Sequence, residues 1–179
     1  SHPEYHSTKC WDTVYNFQSK GGNLMYLGGN GWYWRIVWNQ AFPGIIEVRR
    51  AEDGVRSWEA KAGEYYHSFN GEYGGLWRRL GKAPNKLLGI GFSAQGFDIS
   101  SYYRRTKQSY KKEVSFIFKN IDEEILGNFG LVGGGAAGLE LDRYDQNLGS
   151  PKNCYILAAS ENHSDLYLGV SEEINVNMP

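Results

Sequence analysis

The strongest periodic pattern of apolar and polar positions lies near the front of the chain, in TKCWDTVYNFQSK at residues 8–20. Apolar side chains recur there three and four residues apart, as they do on one face of an amphipathic helix. Ser7 stands directly before this stretch as a favourable N-cap, and the Gly-Gly pair at 21–22 follows it as a usual C-terminal stop. The pattern predicts a helix over residues 8–20.

Short apolar runs later in the chain predict strands. The first of them, NLMYL at residues 23–27, directly follows the helix and ends in the GGNG turn at 28–31. A helix feeding a buried strand is the unit of an α/β layered fold, so a single α/β domain over residues 1–179 is expected. The remaining predictions are two strands in 45–59 around an Asp-Gly turn, a loop over 63–80, a strand or strand edge at 86–92, a strand or helix at 113–118, a short helix capped by Asn120, a strand followed by a loop at 130–138 and a buried strand at 153–160.

Composition narrows the class of protein without naming a function. With 41% hydrophobic and 22% charged residues, the 179-residue chain has an ordinary globular composition, and no apolar run is long enough for a membrane span. A net charge of −1 gives no electrostatic case for nucleic acid as the main partner. Cys10 and Cys154 are too few for a disulfide framework, which favours the cytoplasm. Six Trp, 13 Tyr, 8 Phe and 23 Gly suit loops that form a pocket or a subunit contact, although structural filling is the more common explanation.

The first residues, SHPEYHS, carry His2, Glu4 and His6 at alternate positions. In an extended chain alternate side chains share a face, and Pro3 favours an extended His2, so the three groups could point at one metal ion. Imidazole and carboxylate suit zinc or iron, and a nearby phenolate would favour ferric iron. A short His-rich chain end is more often exposed and idle.

Asn30 lies in the GGNG turn directly after the predicted strand. In open α/β sheets ligands gather beyond the carboxyl ends of strands, where an amide side chain can orient a carbonyl group or a water molecule. Asparagine is also common in tight turns because it tolerates left-handed backbone geometry. The residues alone do not separate these two interpretations.

Two other motifs resemble a dinucleotide-binding site and a catalytic triad. Gly133, Gly135 and Gly138 fit G-x-G-x-x-G with Glu161 about 20 residues further on, but no complete crossover helix follows, and Glu140 would oppose a pyrophosphate. A glycine loop that directs Glu140 into a cleft is the better interpretation. The second motif, SENHSD at 160–165, holds Ser, His and Asp too close in sequence to converge as a catalytic triad.

A series of longer motifs resembles a known family. The motifs are SHPEYHS, GGNLMYLGGNGWYWRI, EVRRAEDG, GEYYHSFNGEYGGLWRR, GFSAQGFDISSYYRR, GGGAAGLELDRYD and ILAASENHSDLY. In this order they resemble the C-terminal domain of the large (β) subunit of N,N-dimethylformamidase and its relatives. The resemblance covers nearly the whole chain, and it implies a class I glutamine-amidotransferase-like or flavodoxin-like α/β layer with long glycine- and aromatic-rich loops.

The resemblance also implies an active site. In that family a mononuclear ferric ion (Fe3+) is held by two tyrosines and one glutamate, and the His-Pro-Glu motif makes Glu4 the expected iron ligand. His2 is then expected beside the iron or as an acid/base group, with Asn30 and Glu140 at the same site. His6 is not a family ligand, and the two ligand tyrosines are expected upstream of residue 1.

The function implied is hydrolysis of a small N-substituted amide to a carboxylate and an amine, with this chain as a fragment that is inactive alone. A small accessory subunit and a homo-oligomer of the full-length chain are the partners implied, in the cytoplasm. Two alternatives stay open, because relatives need not share a substrate. One is a relative that acts on another small molecule, and the other is a non-catalytic interaction or structural module.

Overall fold

The computed structural model describes residues 3–50, 61, 63–130 and 133–169. They form two compact units. The first comprises the described residues up to Ser93 together with Asp142–Pro151, and the second comprises Ala94–Leu141 and Lys152–Gly169. The α-helices and strands, in chain order, are β1 (Tyr5–His6), α1 (Thr8–Ser19), β2 (Trp34–Trp38), β3 (Ile46–Val48), α2 (Pro84–Leu88), β4 (Gly91–Arg105), β5 (Ile125–Leu126), β6 (Ala137–Arg143), β7 (Ala158–Glu161) and β8 (Leu168–Gly169).

Helix α1 confirms the prediction from the first periodic pattern. The Ser7 hydroxyl accepts a hydrogen bond from the Cys10 amide at 3.3 Å, so the predicted N-cap is made. At the other end Gly21 adopts a φ of 90° and the helix stops. Trp11 is the fully buried residue of the helix, which attaches it to the core of the first unit.

The first unit contains a three-stranded sheet in the order β1-β2-β3. Strand β1 runs parallel to β2, with His6 opposite Arg35, and β3 pairs with β2 as an antiparallel neighbour. Strand β2 is therefore central, and its buried Trp34 and Ile36 face the core. This arrangement lays the front of the chain directly along the start of β2.

Aromatic side chains build two core clusters in the first unit. In one of them Trp11 packs against Trp77 with ring centroids 5.2 Å apart, and Trp32 and Leu87 complete the buried set. The other consists of Tyr33, Trp34, Leu76 and Phe92. Because Trp32 and Tyr33 are neighbours in sequence but belong to different clusters, the start of β2 is fixed from two sides.

The second unit is organised around the long strand β4. Strands β5 and β7 both pair antiparallel with the end of β4, β8 pairs with its earlier part, and β6 lies beside it. Arg105 is buried at the end of β4, and its guanidinium lies between the rings of Tyr110 and Phe118, 4.2 and 4.1 Å from their centroids. It also donates to the Ile121 carbonyl at 2.9 Å, so the charge is balanced by ring faces and a carbonyl.

Several predicted elements differ in the structure. Residues 23–27 form no strand, and Met25 and Leu27 are 79% and 84% exposed. The predicted strand or strand edge at 86–92 is the end of α2 followed by the start of β4, and 113–118 contains a short 3-10 helix. Asn120 has a φ of 65° and caps no helix.

Other predictions are confirmed in part or fall outside the described residues. Strand β7 lies within the predicted run at 153–160 and continues to Glu161, and β3 lies within 45–59. The predicted Asp-Gly turn of 45–59 is outside the described residues. The predicted loop at 63–80 consists of turns and isolated bridges before a 3-10 helix at Trp77–Leu80.

The architecture of the described residues is one of mixed sheets with two short α-helices. The glutamine-amidotransferase-like or flavodoxin-like layer stays a prediction. No helix in the described part of the chain is long and apolar enough to cross a bilayer.

Candidate functional site

The turn that carries Asn30 is buried and conformationally unusual. Asn30 is only 4% exposed and has a φ of 51°, and Trp32 has a φ of 52° and is 8% exposed. Asparagine adopts left-handed geometry readily, whereas a bulky residue such as tryptophan rarely does. Two left-handed residues so close together must be held by their surroundings, and such strain is concentrated at functional sites.

Asp142, a residue that sequence reasoning did not single out, fixes this turn. One of its carboxylate oxygens accepts from the Asn30 amide at 2.9 Å, and the other accepts from the Tyr26 hydroxyl at 2.9 Å. The Tyr26 oxygen in turn accepts from the Gly31 amide at 2.7 Å. A side chain on residue 31 would meet the Tyr26 ring at 2.7 Å, which explains the glycine there. The LELDR motif therefore contributes an anchor for the GGNG turn.

The segment that contains Glu4 lies along residues 32–34, directly after the Asn30 turn. The Pro3 carbonyl accepts from the Trp32 amide at 2.8 Å, and the Glu4 carbonyl accepts from the amides of Tyr33 and Trp34 at 2.9 and 2.8 Å. These bonds continue into the parallel pairing of β1 with β2. The backbone of Glu4, a half-buried residue, is thus fixed close to the Asn30 turn by these hydrogen bonds.

The ring of His6 is fully engaged within the protein. Its Nε2 is 2.9 Å from the Pro3 carbonyl and its Nδ1 is 3.4 Å from the Cys10 sulfur. A carbonyl only accepts, so the hydrogen-bond network assigns the proton to Nε2 and leaves Nδ1 to accept from the thiol. The ring stacks on the Trp32 indole with centroids 3.9 Å apart. Burial lowers the pKa of His6, which favours the neutral ring, and burial raises the pKa of the Cys10 thiol, so Cys10 is not an activated nucleophile.

Two buried polar atoms of the turn have no hydrogen-bond partner within the part of the chain that the structure describes. They are the Oδ1 of Asn30 and the Nε1 of Trp32. A buried polar atom without a partner costs free energy, so such atoms in a native protein call for a water molecule or a ligand. The backbone amide of Asn30 is already bonded to Asp142, which leaves its side-chain amide as the group that can contact a ligand.

Comparison with known proteins assigns the family. A family model described as "N,N-dimethylformamidase beta subunit-like, C-terminal" matches residues 1–177. The chain belongs to this family. Two curated relatives, the N,N-dimethylformamidase beta subunits of an Alcaligenes species and of Paracoccus aminophilus, are 44% and 43% identical over 174 residues. These matches cover 97% of this chain and 23% of each relative, so the chain spans about a quarter of their length.

The expected site residues of this dimethylformamidase-like chain fall in different parts of the structure. Glu4 and Asn30 both belong to the first unit, a few residues from a shared set of backbone bonds. Glu140 belongs to the second unit, on strand β6. His2 lies outside the described residues.

The donor set of the described residues fits a contribution to an iron site but not a complete one. No three His, Cys, Asp or Glu side chains within residues 3–50, 61, 63–130 and 133–169 are grouped so that they could hold a metal ion. A half-buried glutamate such as Glu4 is a suitable hard ligand for ferric iron, but it needs further ligands beside it. The proposed three-residue arrangement of His2, Glu4 and His6 is wrong for His6, whose two nitrogens are already used.

The G-x-G-x-x-G and SENHSD motifs differ in the structure from the nucleotide site and the catalytic triad that they resemble in sequence. The glycines of the G-x-G-x-x-G motif lead into strand β6 rather than into a helix whose N-terminus would bind a pyrophosphate. Glu161 forms an ion pair with Arg104 at 2.7 Å. In SENHSD, both ring nitrogens of His163 are buried and unpaired among the described residues, and its ring packs on Tyr167. The described residues show no Ser-His-Asp hydrogen-bond relay in this segment.

A second unpaired histidine was missed by sequence reasoning. His67 is 1% exposed, and neither ring nitrogen has a partner in the described part of the chain. Burial lowers its pKa, an effect that Glu47 and Glu72 oppose and that Arg35 and Arg49 reinforce. The only sequence signal was the place of His67 in the aromatic motif GEYYHSFNGEY, and this motif does not predict whether the side chain is buried.

Proposed function

We propose that this chain is the C-terminal part of an iron-dependent amidohydrolase that cleaves a small N-substituted amide, such as dimethylformamide, into a carboxylate and an amine. The observation that carries the proposal is the joint placement of Glu4 and Asn30. The His-Pro-Glu segment and the GGNG turn are both motifs of the resemblance, and backbone bonds from Trp32, Tyr33 and Trp34 hold them side by side. The names of the relatives support the same reaction class.

The proposal gives each expected site residue a role. The unpaired Oδ1 of Asn30 accepts a hydrogen bond from a water molecule, or the side chain turns and its NH2 group donates to the oxyanion that develops on the amide. Glu140 takes the proton of the attacking water and returns it to the leaving amine, with His2 as the alternative acid/base group. Asp142 holds the Asn30 backbone in place by accepting from its amide.

Glu4 is the group of this chain that we propose for the metal, with two tyrosines from the longer natural protein as the other ligands. When bound, ferric iron supplies Lewis acidity for the amide carbonyl and for water. Asn30 and Trp32, next to the Glu4 segment, are buried, and burial strengthens electrostatic interactions.

We also propose that the full-length protein works in an assembly with a second, small subunit, in the cytoplasm, as a homo-oligomer. The word "beta" in the names of the relatives supports the second subunit, and the other parts of this proposal come from the family resemblance. The exposed aromatic side chains of the first unit, such as Trp38 and Phe42 at 53% and 64%, agree with a subunit contact.

The test is an assay of the full-length protein with dimethylformamide and a panel of formamides, acetamides and unsubstituted amides. Release of formate and dimethylamine in equal amounts supports the proposal. Hydrolysis of another amide keeps the reaction class and changes the substrate. A pure, folded protein that hydrolyses none of them supports the non-catalytic interaction module.

A further inference from the structure

In the described structure the contacts of His6 are all made within the protein, so a role as a ligand does not explain them. Both ring nitrogens are directed at other parts of the protein, and one ring face lies against Trp32. The ring therefore has no atom free for iron or substrate. What it does instead is connect three separate pieces of chain, namely the Pro3 carbonyl, the Cys10 side chain on α1 and the indole after the Asn30 turn.

The Pro3 carbonyl is the meeting point of these connections. It accepts from the His6 Nε2–H at 2.9 Å and from the Trp32 amide at 2.8 Å. The next carbonyl, that of Glu4, accepts from the amides of Tyr33 and Trp34. The orientation of the Pro3–Glu4 peptide is thus determined by the ring on one side and by residues 32–34 on the other.

Trp32 needs such support, because its φ of 52° is unfavourable for a bulky residue. Its indole has His6 stacked at 3.9 Å and an interplanar angle of 13°. Two residues earlier Asn30 is also left-handed, at a φ of 51°. A ring that holds the indole therefore also holds the backbone that leads out of the Asn30 turn.

We propose that His6 is a positioning residue, which fixes the Pro3–Glu4 segment against the Asn30 turn by its bond to the Pro3 carbonyl and its stack on Trp32. Its catalytic consequence rests on the proposed function. In that case His6 touches neither metal nor substrate, and it acts through the placement of Glu4 and Asn30. Small displacements of reacting groups are enough to lower kcat strongly.

Two variants of the full-length protein separate the two contacts. His6→Phe keeps a ring for the stack but cannot donate to the Pro3 carbonyl, and His6→Gln keeps an N–H donor but loses the ring. The Arg35 guanidinium still bonds to Thr8 at the start of α1 and pairs with Glu72, so the neighbouring chain stays attached. His163→Phe is the matched control, because His163 also packs on a ring but makes no hydrogen bond in the described part of the chain.

The first readout needs no metal and no activity. Amide hydrogen exchange at Trp32, Tyr33 and Trp34 should be about ten-fold faster in His6→Phe than in the unchanged protein, because local opening frees these amides. The Arg35 amide, which donates to the Gly75 carbonyl, should exchange at the unchanged rate. Equal acceleration at Arg35, or no acceleration at any of the four amides, would overturn the proposal.

The second readout is the division between kcat and KM. His6→Phe should lower kcat about ten-fold or more with KM changed less than about three-fold, and His6→Gln should restore part of the loss. His163→Phe should match the unchanged protein. Faster exchange with unchanged kcat, or a loss of kcat with unchanged exchange, would contradict a positioning role.

The two proposals fail differently. If the unchanged full-length protein hydrolyses no amide and binds no iron, the proposed function is wrong, and the exchange rates alone then decide about His6. Selective acceleration at residues 32–34 still supports its holding role, and uniform or absent acceleration overturns it.

Discussion

At the scale of single residues, the Asn30 turn of the candidate site is held by one carboxylate. Asp142 satisfies the Asn30 amide and the Tyr26 hydroxyl with separate oxygens, at 2.9 Å each. The sequence displayed Asp142 within the GLELDRYD motif but could not show its partners, because they lie more than 100 positions away, at separations of 116 and 112 residues. Glu140, two positions earlier, was singled out from the glycine loop before it and from the family resemblance.

Replacing Asp142 by Asn should destabilise the first unit. An amide offers one acceptor where the carboxylate offers two, so one of the two donors loses its partner, at a cost of about 1–3 kcal/mol. Asp145→Asn is the matched control, since its exposed ion pair with Arg143 contributes little and Asn is an equally good N-cap, so the cost stays below about 1 kcal/mol. Urea unfolding measures both, and equal losses would contradict the anchoring role.

The buried His67 should make the free energy of unfolding depend on pH. Burial holds the pKa of this imidazole below its ordinary value in the folded protein, while the unfolded chain regains that ordinary value. The unfolded chain then binds more protons below about pH 6.5, so the free energy of unfolding should fall as the pH drops below that point and level off above it. The opposing charges that face the ring, Glu47 and Glu72 against Arg35 and Arg49, set the size of the effect.

Urea unfolding between pH 5 and pH 8 checks this prediction. His67→Gln, which cannot be protonated in this range, should show a weaker decrease in stability at low pH than the unchanged protein. His163, whose pKa burial also lowers, retains a share of the dependence. An unchanged pH profile in His67→Gln would show that His67 is accessible or already paired.

At the scale of elements, the sequence predicted the helix whose stabilising interactions lie close together in the chain. Helix α1 was found because its cap, its apolar face and its glycine stop all lie within one stretch of sequence. The apolar run at 23–27 misled because hydrophobicity does not reveal whether a neighbouring strand exists, and here Met25 and Leu27 are exposed. Strand β2 was missed because it forms by pairing with β1 and β3, and these partners are too short to be recognised from sequence.

The cap of α1 gives a prediction at this scale. Ser7→Ala removes the acceptor of the Cys10 amide and should cost about 0.5–2 kcal/mol, whereas Ser7→Asp keeps an acceptor and should cost much less. Because Trp11 carries the helix into the core, the loss should appear in the overall unfolding transition. Equal destabilisation by both substitutions would show that the cap is not what stabilises the helix.

At the scale of the whole molecule, family and site were reached by different routes. The motifs along nearly the whole chain pointed to the dimethylformamidase β subunit, and the family match over residues 1–177 confirms it. The glutamine-amidotransferase-like layer stays a prediction, because the observed elements are mainly short strands whose order no local pattern encodes. Iron stays a proposal too, since the described residues contain no group of three side chains that could hold a metal ion and the relatives extend well beyond this chain.

The most direct test measures iron per chain in the full-length protein after Glu4→Gln, with Glu64→Gln, an exposed glutamate, as the control. Glutamine keeps the size of the side chain and removes the negative charge that a hard cation prefers. We predict that Glu4→Gln loses both the iron and the amide hydrolysis, while Glu64→Gln keeps both. Iron content and hydrolysis unchanged by Glu4→Gln would contradict the account.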